Sequence, residues 1–439
     1  MRKTIRKLLW AAALVFIFPA AGLSDGGHFL NVVDHHTGQA IAGAVVTLDG
    51  ETLVPDPQGL FPLTKAGGTV KARAHGYNRA EQVLPDPLPA GPLEVKLSPL
   101  TPKALYLSFY GVGSRALRGP AMKLIEETEL NALVIDVKGD RGMIPYRSSV
   151  PLAAEVGAQK IITVRDAEGL MASFKEKGVY TIARIVVFKD NLLASARPEL
   201  AVKTPAGEPW RDREGLAWVD PFRKEVWDYN IQIAVEAAKL GFDEIQFDYV
   251  RFPDSHSPRF SQPSTEEARV KAITGFLQEA RSKLAPYNVF TAADIFGYVC
   301  WNLNDTDIGQ KLEPIISAVD YLSPMLYPSG FQFGIPGYRN PVQNPHEIVY
   351  LSLKKAQERT KVSSLRFRPW LQAFKDYAFD RRPFSSKEIR DQINAADKFG
   401  SQGWMLWNPG NYYSSEPLRK ELPAGSIGRL APDPDALIR

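Results

Sequence analysis

Gly241-Phe-Asp-Glu-Ile-Gln-Phe-Asp-Tyr-Val-Arg-Phe-Pro253 is the stretch on which the fold turns. Phe242, Ile245, Phe247 and Val250 make it a short strand with apolar residues on both faces, which suits a parallel sheet covered by helices. Pro253 has no N–H to give to a ladder and closes the stretch. Gln246 and Asp248 share parity and point the same way, with Asp248 nearer the carboxyl end. Packing does not explain a carboxylate there, with Arg251 three residues on. A helical period precedes the strand over Arg223–Leu240 and another follows over Thr265–Leu284, so it reads as one βα unit in a series.

The series extends in both directions. Strand-like runs occur at Ala104–Tyr110, Asn131–Val137, Tyr180–Val187, Val289–Phe296, Ala318–Met325, Phe367–Ala373 and Gly403–Trp407. Further helical patterns begin near Arg118 or Pro120 and span Asp166–Lys177 and Ser386–Phe399. Eight runs separated mostly by helices predict an α/β fold of the (β/α)8 TIM-barrel type with insertions. A doubly wound open sheet is the alternative, but no Gly-rich phosphate loop follows any of the runs.

Ahead of the barrel, His28–Val33, Ile41–Thr47, Leu60–Leu63, Thr69–Ala74 and Leu93–Leu97 are short strands punctuated by Gly, Asp and Pro. They predict a small all-β sandwich over residues 27–98. A Pro-rich boundary leads to a barrel domain over residues 101–425 and a tail over 426–439. Residues 1–24 have the basic, apolar and then small-residue order of a secretory signal peptide, with an apolar run from Leu8 to Phe18 that is too short for an ordinary membrane span. An exported protein, periplasmic or extracellular, is therefore expected, with no membrane span once the signal is removed.

The leader also explains the net charge. Of 53 basic residues it holds Arg2, Lys3, Arg6 and Lys7, and the remaining 49 balance the 49 acidic ones. A balanced chain gives no reason to expect a nucleic-acid partner. Cys300 is the sole cysteine, so no internal disulfide can form and stability must come from the core. His28, His35, His36 and His75 match no metal-site spacing and read as solvated turn residues.

In a barrel of this kind the carboxyl ends of the strands carry the chemistry. The second run offers Asp136, Lys138 and Asp140, the third Arg184, Lys189 and Asp190, and the fourth Asp248, Tyr249 and Arg251. The later runs offer Asp294, Ser323 and Tyr327, Trp370 and Gln372, and Trp407 and Asn408. Asp136, Asp248 and Asp294 lie in apolar strands, where unpartnered carboxylates are expensive and imply partners or a role. A carboxyl pair across a cleft is what glycoside hydrolysis uses: one acid protonates the leaving oxygen while the other attacks or activates water. Asp248, with Arg251 nearby, is the expected ionised member and Asp294 the expected acid. Tyr327 and Trp407 offer flat apolar surface to the C–H face of a sugar, whereas Trp404 is expected in the core. There is no Gly-x-Ser-x-Gly elbow, and the histidines are too few for a His-rich zinc site. No cofactor or metal is expected, with a calcium or magnesium ion on the carboxylates kept as an alternative.

The Gly241–Pro253 stretch resembles the signature of a family of glycoside-hydrolase-like barrels of unassigned function. Asn131–Asp140, Ala183–Asp190, Trp218-Val-Asp-Pro221 and Asp320-Tyr-Leu-Ser-Pro-Met-Leu-Tyr-Pro-Ser329 agree with it in order over about residues 101–423. The resemblance implies a glycosidase-type TIM barrel and a catalytic role for Asp248 at the end of the fourth strand. The front module, through Val33-Asp-His-His-Thr-Gly38 and Ala74-His-Gly-Tyr77, resembles the carboxypeptidase-regulatory-like family of accessory modules. The expectation is an exported glycoside hydrolase acting on a polysaccharide, with catalytic Asp248 and Asp294. Asp136, Lys138, Asp140, Arg184, Tyr249, Arg251, Tyr327, Trp370, Gln372, Trp407 and Asn408 are the expected binding residues. A non-catalytic carbohydrate-binding or assembly protein on the same scaffold is the rival. An enzyme removing acyl groups is disfavoured by the shortage of histidines.

Overall fold

The computed structural model describes residues 28–420; the expected signal peptide and the C-terminal tail lie outside them. Seven short strands come first: β1 (His28–Asp34), β2 (Val45–Leu48), β3 (Glu51–Thr52), β4 (Phe61–Leu63), β5 (Thr69–Arg73), β6 (Ala80–Val83) and β7 (Leu93–Leu97). They form two sheets, ordered β4-β1-β7 and β3-β2-β5-β6. Between them lies a separate apolar core of Leu30, Val32, Val46, Phe61, Val70, Val95 and Leu97, among others.

The remaining eight strands close on themselves: β8 (Lys103–Leu107), β9 (Ala132–Lys138), β10 (Tyr180–Val186), β11 (Glu244–Asp248), β12 (Phe290–Phe296), β13 (Tyr321–Met325), β14 (Trp370–Gln372) and β15 (Trp404–Trp407). Every ladder is parallel, and β15 pairs with β8 to complete an eight-stranded barrel. Helices at Arg115–Glu127, Ala167–Glu176, Lys224–Lys239, Glu266–Leu284, Pro345–Thr360 and Ser386–Phe399 are among those outside it. The helix at Pro345–Thr360 was not read from the sequence. Local chemistry sets several helix ends. Thr265 caps the Glu266 helix through Ala268, and Ser385 with Glu388 makes a capping box, closed at the far end by left-handed Gly400.

Strand parity divides the barrel core in two. Ala104, Tyr106, Val134, Ile182, Ala292, Tyr321, Trp370 and Met405 fill the interior. Ile135, Ile185, Phe247 and Ile295 face the helices in a larger outer layer. That is why the strands read as continuous apolar runs.

At the amino-terminal end the barrel is plugged by an ion pair between Glu244 and Arg368, both fully buried. The Tyr180 hydroxyl donates to Glu244 at 2.9 Å, and Arg368 Nε donates to the Gln402 carbonyl at 2.8 Å. The sandwich docks against this same end. Asn288, just before β12, donates to the Ala72 and Ala80 carbonyls at 3.2 and 3.3 Å. Arg79 meets Asp243 at 3.0 Å, Arg73 lies 3.9 Å from Asp320, and His75 stacks edge-on against Tyr321. Burial pushes the His75 imidazole down to about 4, so it is neutral at neutral pH.

Candidate active site

At the opposite end of the barrel, Arg184 organises the carboxylates. It lies on β10 between two acid-bearing strands: Asp136 pairs with it across the β9 ladder, and Val186 pairs with Asp248 on β11. Its Nη1 donates to Asp136 Oδ1 at 2.6 Å, and its Nε donates to Asp248 Oδ2 at 2.8 Å. The Tyr106 hydroxyl holds the other Asp136 oxygen at 2.6 Å. Burial opposes the charge on Arg184, but Asp248 and Asp136 together outweigh it and lift the guanidinium well above its ordinary value. Burial raises Asp136 despite Arg184 and Tyr106.

Asp294 is held differently. Phe247 pairs with Ala293, so Asp248 and Asp294 stand one residue further along neighbouring strands, a spacing of about 4.8 Å between ladders. Trp370 Nε1 donates to Asp294 Oδ1 at 2.8 Å, while Oδ2 is buried with no hydrogen-bond partner among the described residues. Burial first, and then repulsion from Asp248, raise the Asp294 carboxyl well above the usual carboxylate range; Arg184 and Trp370 only partly oppose this. Of two adjacent acids, one is paired with a guanidinium and the other favours its proton.

Asp248 borders a cavity of about 160 Å³ lined by Arg184, Asp248, Tyr249, Arg251, Phe296, Met325, Tyr327, Trp370 and Trp407, whereas Asp294 is buried and touches the lining through its hydrogen bond with Trp370. Trp407 stacks on Tyr106 at 3.9 Å and meets the edge of Trp370, with the Arg184 guanidinium 4.8 Å above its ring. The floor and one wall are therefore aromatic.

Several expected site residues lie elsewhere. Lys138 is wholly buried against the helical layer, 2.6 Å from Asp190 and over the Tyr229 ring. The β9 ladder skips Val137, so Arg184 pairs with Asp136 and Ile185 with Lys138, and this bulge turns Lys138 out of the barrel. Gln372 is spent on Ser329 and the Phe374 carbonyl, and Asn408 on the Ala373 carbonyl and the Gly410 N–H. Both amides brace loops instead of facing the cavity. Asp140 is half-exposed at the rim, 4.0 Å from Lys189. Arg251 makes no hydrogen bond to Asp248 and donates to the Phe252 carbonyl at 2.9 Å, so the two interact through charge alone. The strand stops at Asp248 because Tyr249 adopts φ 47°, a left-handed turn that lets the Tyr249 N–H donate to Asp248 Oδ1 at 2.6 Å. That turn sends Arg251 sideways among the rings of Trp218, Tyr249 and Phe296. Tyr106, Phe296 and Met325 were missed. For Tyr106 the signal was present, since it has the inward parity of the first strand. Cys300 is fully buried and its thiol is pushed up to about 12, so it is no nucleophile. Among the described residues no group of three or more His, Cys, Asp or Glu could hold a metal ion.

Replacing Arg184 by Met is expected to destabilise the protein by about 3–5 kcal/mol, because two buried carboxylates lose their counter-charge. Urea unfolding of the two proteins at neutral pH measures this; a loss below about 1 kcal/mol would mean that the acids find other partners.

A closed parallel barrel with paired acids over an aromatic cavity at its carboxyl-terminal end is the plan of a TIM-barrel hydrolase. Residues 104–413 match the family described as "Putative glycosyl hydrolase domain", and the chain belongs to that family. None of the curated proteins matches it. Among solved structures, a hypothetical protein from Ruminiclostridium thermocellum is 41% identical, covering 43% of this chain and 96% of its own, with a TM-score of 0.39. The glycoside hydrolase domain of PgaB (BpsB) from Bordetella bronchiseptica aligns with a TM-score of 0.53 at 15% identity, over 71% of this chain and 95% of its own, a likeness of fold. The spore cortex-lytic enzyme SleL of Bacillus megaterium is similar at 12% identity and a TM-score of 0.44, over 77% of this chain and 75% of its own.

Proposed function

We propose that the protein is an exported glycoside hydrolase that cleaves a polysaccharide with Asp248 and Asp294. The observation that carries this reading is the contrast between neighbours: Asp248 rests on Arg184, while Asp294 is buried with an unpartnered oxygen. Asp294 then donates its proton to the glycosidic oxygen as the bond to the anomeric carbon breaks. Asp248, ionised, attacks that carbon or takes a proton from the water that does so. Trp407, Trp370 and Tyr327 give the sugar its apolar platform, and Tyr249 and Arg251 complete the wall. Asp136 acts through Arg184, as a positioning residue.

Export rests on the composition of the leader. Among the described residues no helix is long and apolar enough to cross a membrane. The docked sandwich fits an accessory module of the carboxypeptidase-regulatory-like kind. Incubating the full protein with a panel of neutral and acidic polysaccharides and counting new reducing ends tests the reading. New ends are expected from at least one polymer. Sustained binding with no new ends would assign the barrel to sugar binding alone.

A further inference from the structure

Arg251 differs from the other buried cations. Six basic side chains are buried among the described residues: Arg73, Lys138, Arg184, Lys189, Arg251 and Arg368. Five have a carboxylate within 4.0 Å: Arg73 has Asp320, Lys138 has Asp190, Arg184 has Asp136 and Asp248, Lys189 has Asp212 and Glu214, and Arg368 has Glu244. Arg251 has none. Its one hydrogen bond goes to the Phe252 carbonyl, which leaves most of its five N–H groups unused. Burial lowers its pKa, and Tyr249 and Asp248 offset this only in part.

The side chain is nevertheless held firmly. Its guanidinium carbon lies 4.8 Å from the Trp218 ring centre, 5.1 Å from Tyr249 and 4.6 Å from Phe296. The rings fix the plane of the fork and offset part of its desolvation, but they supply no anion. An apolar side chain would fill the same cage without burying a charge. Asp248 is not free to answer it, being engaged by Arg184 and the Tyr249 N–H. Arg251 does face the cavity that holds Asp248.

We propose that the sugar bound beside Asp248 is an acidic one, and that Arg251 receives its carboxylate. The substrate class is thus a polyuronate or another carboxylated polysaccharide, and Arg251 is its specificity determinant. A guanidinium fork fits a planar carboxylate in two parallel hydrogen bonds. The rim and floor of the cavity serve the sugar ring, and Arg251 serves its charge. The inference rests on the glycosidase reading for the presence of a sugar, though not for its charge.

Matched ligands separate the two. Oligomers of galacturonate, mannuronate and glucuronate are compared with the same oligomers after reduction of each carboxyl to a primary alcohol, with binding read by calorimetry at low salt. The wild-type protein is expected to favour one acidic oligomer over its reduced partner by about ten- to a hundred-fold, the range of a charge-assisted hydrogen-bonded pair. Arg251→Gln is expected to abolish that preference and Arg251→Lys to keep part of it, with circular dichroism confirming that both variants fold. Equal affinity for every matched pair, or an acidic preference unchanged in Arg251→Gln, would overturn the proposal. Reducing ends released from neutral polymers alone would also overturn it while leaving the glycosidase reading standing. Arg251-dependent acidic binding without release of ends would do the reverse.

Discussion

Asp248→Asn is expected to lower the release of reducing ends by at least about a thousand-fold while the protein stays folded. Asparagine keeps the shape of the side chain, and its single carbonyl oxygen can still accept from Arg184 Nε and Nη2, while the amide nitrogen in the place of Oδ1 gives up the bond from the Tyr249 N–H. What it loses is the negative charge that attacks carbon or activates water. Arg184 retains Asp136 at 2.6 Å, so the ion network is thinned and not abolished. Thermal unfolding followed by circular dichroism separates a chemical loss from a structural one. A folded variant that keeps more than a tenth of the wild-type rate would remove Asp248 from the mechanism.

Asp294→Asn should change activity and stability in opposite directions. The folded carboxyl is raised well above 3.8, mainly by burial and then by Asp248. Between the unfolded value and the raised one, the folded protein holds a proton that the unfolded chain has released. Stability from this group therefore falls as pH rises through that window, by about 1.4 kcal/mol per pH unit. Asparagine does not titrate and escapes the penalty, so the variant's advantage in melting temperature should be absent near pH 4 and grow towards pH 8. Activity should fall by about 10²–10⁴-fold on natural glycosidic bonds and much less on aryl glycosides, whose leaving groups need no proton. Equal losses on both substrates, or a gap in melting temperature that ignores pH, would rule out Asp294 as the acid.

Much of this was legible because a barrel strand has a simple code. A residue in β10 or β11 faces either the interior or the helices, so the runs at Tyr180–Val186 and Glu244–Asp248 announced themselves, and parity placed Gln246 and Asp248 on one side. What the code lacks is the identity of the neighbour across the ladder. Asp248 finds its guanidinium on Arg184, 64 residues earlier in the chain, whereas Arg251, three residues away, is carried off by one left-handed residue. Lys138 shows the same limit in another form. A single skipped residue in the β9 ladder reverses its facing, and nothing in Val-Lys-Gly foretells the bulge. Gln372 and Asn408 stand where a binding amide would stand, but the loops around Ser329 and Ala373 claim them first.

The docking of the sandwich divides the labour between the two mouths of the barrel. Asn288, Asp243 and Asp320 receive the module just before their strands begin, whereas Asp248 and Asp294 stand near the ends of theirs. The module therefore sits at the end of the barrel opposite the acids. A chain crossing the carboxyl-terminal mouth would meet no part of the sandwich, so substitutions in the sandwich's outer loops are expected to leave the carboxylate site unchanged.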